Sequence, residues 1–205
     1  MKKNERSDAL RILIGVLQDN IQLSHLMTPA ADLSPFSKEL CFGVTRHYVR
    51  LAAIADRLIK KRPKGKDTDV WVCLLMGLYQ LHALRTPDYA VVQETVALLN
   101  QLKKPWAKGL VNAVLRTYCR EKETLLLGLA ADPAYQYGHP SWLIQRIQKA
   151  WPNHWESIVT ANNEHPPMTL RVNHQKISTE DYLSLNSEMQ TRMQTLIPLF
   201  HQHCP

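Results

Sequence analysis

The chain has 205 residues, is 45% apolar and carries a formal charge of +7. That length allows one well-filled core and a smaller second unit. The composition is that of an ordinary globular protein, and no apolar run reaches the roughly 18 residues needed to span a bilayer. The opening residues, MKKNERSDAL, are basic but lead into an amphipathic pattern that contains acids, unlike a signal peptide. Cys41, Cys73, Cys119 and Cys204 lie too far apart for a CxxC metal or redox pair. The first three sit in apolar helical patterns and read as buried free thiols, which suits a reducing cytoplasm. The charge is uneven. Residues 1–135 hold 20 Lys and Arg against 13 Asp and Glu, whereas residues 136–205 hold 5 against 5. The excess lies where a polyanion would be met, although a modest excess also serves solubility alone.

In chain order, Arg6 to Gln18 is predicted as a first helix with Ala9, Leu10, Leu13, Val16 and Leu17 on its apolar face. A loop with Pro29 and Pro35 follows, and Ser34 or Ser37 is the expected cap of the next helix. Spacings of three and four predict a long helix over Phe36–Ile59, with a break near Gly43. It runs into Arg57–Lys66, ten residues with six positive charges and no acid, where Pro63 and Gly65 leave a basic loop. Cations at a helix C-terminus also stabilise it locally, which is the structural alternative. Asp67–Leu84 is apolar nearly all round and belongs at the centre of a bundle. His82, near its end, reads as a packed or surface histidine. A turn at Arg85–Asp88 leads to a helix over Ala90–Leu102.

The next helix is predicted from Trp106 to about Leu127. At 100° per residue, Trp106, Leu110, Val111, Val114, Leu115 and Tyr118 share one apolar face. Lys108, Asn112, Arg116 and Arg120 form a polar stripe on the other side. Gly109 inside so regular a pattern suggests a close helix–helix approach. With no β-pattern of length so far, this part reads as an all-α bundle of about six helices.

After Ala131-Asp132-Pro133 the character changes. Ser141 is the expected N-cap of a short helix, and a second one, Trp155–Asn162, follows Trp151-Pro152-Asn153. Two prolines, Pro166 and Pro167, exclude helix, and Met168–Val172 alternates as a short strand would. Ser178 and Asp181 predict a capped final helix from about Thr179. The domain reading is therefore 1–130 for the bundle, 131–165 for a helical linker, and 166–205 for the incomplete start of a small α/β subdomain.

Two stretches resemble a known family. Gln93-Glu94-Thr95-Val96, followed by Lys108-Gly109-Leu110-Val111-Asn112-Ala113-Val114-Leu115-Arg116, is similar to the closing signature of the NusB family. HPSWLIQRIQKAWPNHWESIVTANNEHPPMTLRVN resembles the linker and first strand of the bacterial 16S ribosomal RNA cytosine-C5 methyltransferases of the Fmu/Sun type, in which a NusB-like domain comes first. The likeness extends from residue 4 to about Leu185. It implies an all-helical NusB-like domain that binds RNA, most naturally ribosomal RNA, in the cytoplasm. In that family a later domain binds S-adenosylmethionine and supplies the catalytic cysteines.

This chain has no Gly-rich strand–turn–helix motif for such a cofactor, and no Cys follows Pro or Thr. Cys204 precedes Pro205, the reverse of the family motif. The expectation is thus no catalytic residue, no cofactor in this chain and no membrane partner. The tail after Leu185 departs from the family pattern and reads as a shifted or truncated frame. His201, His203 and Cys204 have HxHC spacing without a fourth ligand, so no metal site is expected.

Phosphate binding by Lys and Arg leads to candidate RNA-binding residues at Arg6, Lys60, Lys61, Arg62, Lys64, Lys103, Lys104, Lys108 and Arg116. Each alone is more often a solvated surface charge, and the case rests on clustering. Two other readings stand beside it. Trp142, Trp151 and Trp155 expose apolar surface in 131–185 that a protein partner or a missing catalytic domain would cover, as in an adaptor. The third is a remnant of a broken gene.

Overall fold

The computed structural model describes residues 4–28, 31–164 and 171–185, and among these there are helices and turns but no strand. The chain divides into two compact units, residues 1–164 and 165–205. In the first, α1 (Glu5–Leu17), α2 (Leu23–Leu26), α3 (Pro35–Arg46), α4 (Tyr48–Leu58), α5 (Thr68–Ala83), α6 (Asp88–Gln101) and α7 (Lys108–Leu129) build the bundle. Three short helices, α8 (Pro133–Tyr137), α9 (Ser141–Ala150) and α10 (Trp155–Ala161), complete it. The second unit contributes α11 (Thr179–Leu185).

Helix α5 is the centre. Every residue from Val70 to Leu81 is buried, and α1, α3, α4, α6 and α7 all pack on it. Val72, Leu75 and Leu78 are fully excluded from solvent, as a helix apolar on every face requires. Gly77 lets two neighbours close in: an added Cβ there would lie 3.0 Å from Thr95 and 3.1 Å from Leu115.

The expected long helix over Phe36–Ile59 is two helices, and the break falls at His47 rather than Gly43. Gly43 stays helical because Tyr79 of α5 lies directly on it; a Cβ there would be 1.9 Å from Tyr79 Cζ. The Tyr79 hydroxyl then donates to Glu39. Gly109 shows the reverse. Its place in the pattern suggests a close approach, yet a Cβ there would meet nothing within 4 Å.

The caps follow the side-chain chemistry in most places. Asn4 accepts from the Ser7 amide to start α1, and Ser34 accepts from the Ser37 amide ahead of Pro35 at the start of α3. Ser37 instead sends its hydroxyl 2.9 Å to the Glu5 carbonyl, joining α3 to α1. Ser141 does not cap α9. The Pro140 carbonyl already accepts from Leu143 and Ile144, so the helix begins one residue earlier than the serine rule suggests.

In the second unit, Ser178 Oγ accepts from the Asp181 amide at 3.0 Å and donates to its carboxylate at 2.7 Å, the capping arrangement expected for α11. Met168–Leu170, most of the expected strand, lie outside the described residues, as do His201, His203 and Cys204.

Two of the expected buried thiols, Cys41 and Cys73, are fully buried, and burial pushes both up to about 12, so they are inert packing groups. Cys119 is only half-buried. Trp142 and Trp151 are exposed as expected, but Trp155 is half-buried, edge-on to Tyr137 at 4.9 Å.

His82 is packed, with Nδ1 2.8 Å from the buried Tyr118 hydroxyl. Burial holds both His82 and His47 below the usual histidine value. The unfolded chain therefore takes up these protons first. Their stability contribution is whole above about pH 6.5 and is lost as the pH falls toward the depressed folded values. Urea unfolding should show stability declining as the pH falls below about 6.5, by at most about 1.4 kcal/mol per pH unit for each histidine. His82→Gln should flatten that slope.

The two glycines give opposite expectations. Gly43→Ala should lower stability by about 1–3 kcal/mol through overpacking against Tyr79. Gly109→Ala should raise it by up to about 1 kcal/mol. Urea midpoints moving in the same direction would contradict this packing.

Candidate nucleic-acid interface

Two connections meet at one end of the bundle. The first leaves α4 at Ile59, passes Pro63 and Gly65, and enters α5 through a 3-10 turn at Gly65–Asp67. Gly65 has φ +60°, a left-handed conformation that glycine adopts without strain. The second leaves α6 at Leu102 and enters α7 through a 3-10 turn at Pro105–Ala107. Lys103 takes the left-handed position after α6, with φ +56°, and the Lys104 amide returns to the Leu99 carbonyl at 2.9 Å. Glycine usually fills that position, so a lysine there is strained.

The Lys104 side chain joins the two connections. Its ammonium donates to the Lys66 carbonyl and to Asp67, each at 2.6 Å, and lies 3.7 Å from Asp69. The hydrogen bond to Asp67 holds this lysine above the ordinary lysine range. As a result Lys61 and Lys64 from the first connection, Trp106 from the second and Leu110 from the first turn of α7 line one groove of 690 Å³.

The nine candidate residues sort by availability. Lys60, Lys61, Lys64 and Lys103 are exposed, and no carboxylate among the described residues pairs with them. Lys108 is half-buried at the start of α7. Arg116 is exposed about 12 Å further along that helix at 1.5 Å per residue, and its Nε donates to Asn112 at 3.1 Å.

Three others are engaged inside the protein. Arg62 forms a two-pronged pair with Asp56 and stacks on Trp71, its guanidinium carbon 4.3 Å from the ring centre. Lys104 is the staple just described. Arg6 donates to Gln80 at 2.8 Å and lies 5.1 Å over the Phe36 ring. A cation whose donors are committed in this way presents little to a phosphate.

The helical projection puts Trp106 and Leu110 on the buried face of α7, but they are 58% and 37% exposed. Trp106 belongs to the 3-10 turn, where three residues make a turn instead of 3.6, so the 100° projection misplaces it. Ala107 is buried in its stead, followed by Val111, Val114, Leu115 and Tyr118. Pro105 takes the first position of the 3-10 turn, as proline prefers, and α7 itself begins only at Lys108. The groove's acids are already engaged, Asp56 by Arg62 and Asp67 by Lys104. Helix α7 has no side-chain cap and no acid in its first turn, so its partial positive end adds to the field.

The sequence model of the NusB family matches residues 3–120. The chain belongs to the NusB family. Both connections and the groove lie inside that span. A second match, to the RsmF/B-like methyltransferase ferredoxin-like domain, covers residues 139–196 and so runs past Leu185, where the sequence reading ends the family pattern.

The chain is 43% identical over 182 residues to the probable ribosomal RNA small subunit methyltransferase B of Coxiella burnetii, covering 89% of this chain and 42% of that protein. It is 43% identical over 190 residues to the ribosomal RNA small subunit methyltransferase B of Pseudomonas putida, covering 90% and 44%. For the Escherichia coli protein of that name the figures are 39% over 192 residues, covering 91% and 44%. The chain thus spans less than half the length of these relatives. Among the described residues no His, Cys, Asp or Glu group could hold a metal, and no helix is long and apolar enough to cross a membrane.

Two substitutions separate the roles of the neighbouring lysines. Lys103→Gly should raise the unfolding free energy by up to about 1 kcal/mol, seen as a higher urea midpoint, by relieving the left-handed residue. Lys104→Met should lower the midpoint at neutral pH. Because the folded state raises this lysine, the deficit should vanish in alkali above the raised value, where the parent's lysine is neutral.

Proposed function

We propose that this chain binds RNA through the groove end of its NusB bundle, and that it serves a small-subunit ribosomal RNA methyltransferase of the cytosine-C5 type. The observation that carries the reading is the set of exposed lysines without carboxylate partners, Lys60, Lys61, Lys64 and Lys103, grouped beside a groove within the NusB match. Such lysines neutralise phosphates and release counterions. The names of the relatives supply the RNA class. Arg116 and Lys108 extend the track along α7. On this reading the bundle at 1–130 recognises RNA, and residues 131–165 and 166–205 lead toward a catalytic part. S-adenosylmethionine and the methyl transfer belong to the stretch of the relatives beyond the region matched here, and the site of action is the cytoplasm, where ribosomal RNA is processed.

A second reading rests on the exposure of Trp142 at 60% and Trp151 at 55%. Apolar rings of that size on α9 and its exit suit a docking face for further polypeptide.

The RNA reading is tested by fluorescence polarisation with a labelled fragment of small-subunit ribosomal RNA across a salt series. Changing Lys60, Lys61 and Lys64 together to Ala should weaken binding and flatten the log–log salt slope by roughly 0.7–0.9 for each phosphate no longer neutralised. Arg62 is left intact because it holds Asp56 and Trp71. A control with Arg146, Lys149, Arg171 and Lys176 changed to Ala should lose much less. Equal losses in the two sets would show that net charge, not a site, drives binding.

A further inference from the structure

We propose that Trp106 is a stacking platform for an unpaired nucleotide base, with Lys61 and Lys64 holding the adjoining phosphates, so that the groove takes single-stranded RNA in preference to duplex. This rests on the RNA reading above and specifies its ligand. Trp106 is 58% exposed and, unlike the exposed Trp142 and Trp151, lines the groove together with two lysines. Its backbone is also fixed from both sides. Pro105 restricts the preceding residue, and fully buried Ala107 anchors the following one. The Lys104 staple then ties this turn to Lys66 and Asp67. The indole is therefore held on a rigid support with much of its surface open, which lowers the ordering cost of a stacked ligand.

The surroundings select the ligand. The groove's volume of 690 Å³ lies within the range of roughly 300–1,000 Å³ typical of small-ligand clefts. Its two acids are neutralised by Arg62 and Lys104, whereas Lys61 and Lys64 have no carboxylate partner among the described residues. A flat aromatic beside unpaired cations matches a base and its phosphates. A nucleotide offers both partners in one ligand, a flat ring for the indole and an anion for the lysines. Base faces are available only in unpaired RNA, since a duplex stacks them internally.

Polarisation titrations with a short labelled oligouridylate, and with a blunt RNA duplex of equal length, test the proposal on the full chain. Trp106→Ala should weaken oligouridylate binding about five- to hundredfold, leave its salt slope unchanged and leave duplex binding unchanged. Trp106→Phe, which keeps a ring, should recover most of the loss. Lys61→Ala with Lys64→Ala should instead flatten the salt slope on both RNAs. Unchanged oligouridylate binding by Trp106→Ala overturns the stacking role while leaving RNA binding standing. Equal loss on both RNAs, or no recovery with Phe, also overturns it, because the residue would then act through structure. If the parent chain binds neither RNA, the RNA reading falls with it.

Discussion

The structure depends on one constraint: α5 is apolar on every side and must be enclosed. An amphipathic helix needs one partner surface, but a helix with twelve consecutive buried residues, Val70–Leu81, needs a ring of them. Helices α1, α3, α4, α6 and α7 form that ring. Two small residues decide how tightly it closes. Gly43 gives way to the Tyr79 ring, and Gly77 admits Thr95 and Leu115. Burial of this kind is also why the thiols of Cys41 and Cys73 are inert and why two histidines resist protonation.

The groove is a topological consequence of the same arrangement. Helices α5 and α6 are joined by the short turn at Leu84–Pro87, so they run antiparallel, and the start of α5 lies beside the end of α6. The connection that enters α5 and the one that leaves α6 must then emerge together. One is rich in lysine and arginine, and the other carries Trp106. Lys104 converts that adjacency into a fixed geometry by binding Lys66 and Asp67 across the gap. The cations divide accordingly. Some are internal braces, and others stay unpaired at the surface. A lysine at the left-handed position 103, where glycine would be easier, places an exposed charge beside the groove at a cost in backbone strain.

The family match and the physical reading support each other at different levels. The match over residues 3–120 assigns the bundle to the NusB family, but it does not say which face of the bundle is used. The face is argued from unpaired charge, an exposed indole and neutralised acids. The matched relatives are more than twice as long as the aligned region, so the match speaks for less than half of such a protein.

The sequence alone determined the helical class, the central place of α5, the basic loop and the likeness to NusB, because all four are written in local patterns. Period 3.6, an unbroken apolar run, a charge run and a motif need no knowledge of distant residues. It also placed the cap at Ser178 and narrowed the α3 cap to Ser34 or Ser37, between which the structure chose Ser34. Only the tertiary structure decided which cations are free. Arg6 is matched to Gln80 and Arg62 to Asp56 and Trp71, while Lys104 is matched to Asp67; pairing across folded elements leaves no trace in local spacing. It likewise moved the helix break from Gly43 to His47 and turned Trp106 outward. A glycine tolerates a helix when another ring must sit against it, and one 3-10 turn is enough to rotate a side chain from core to solvent.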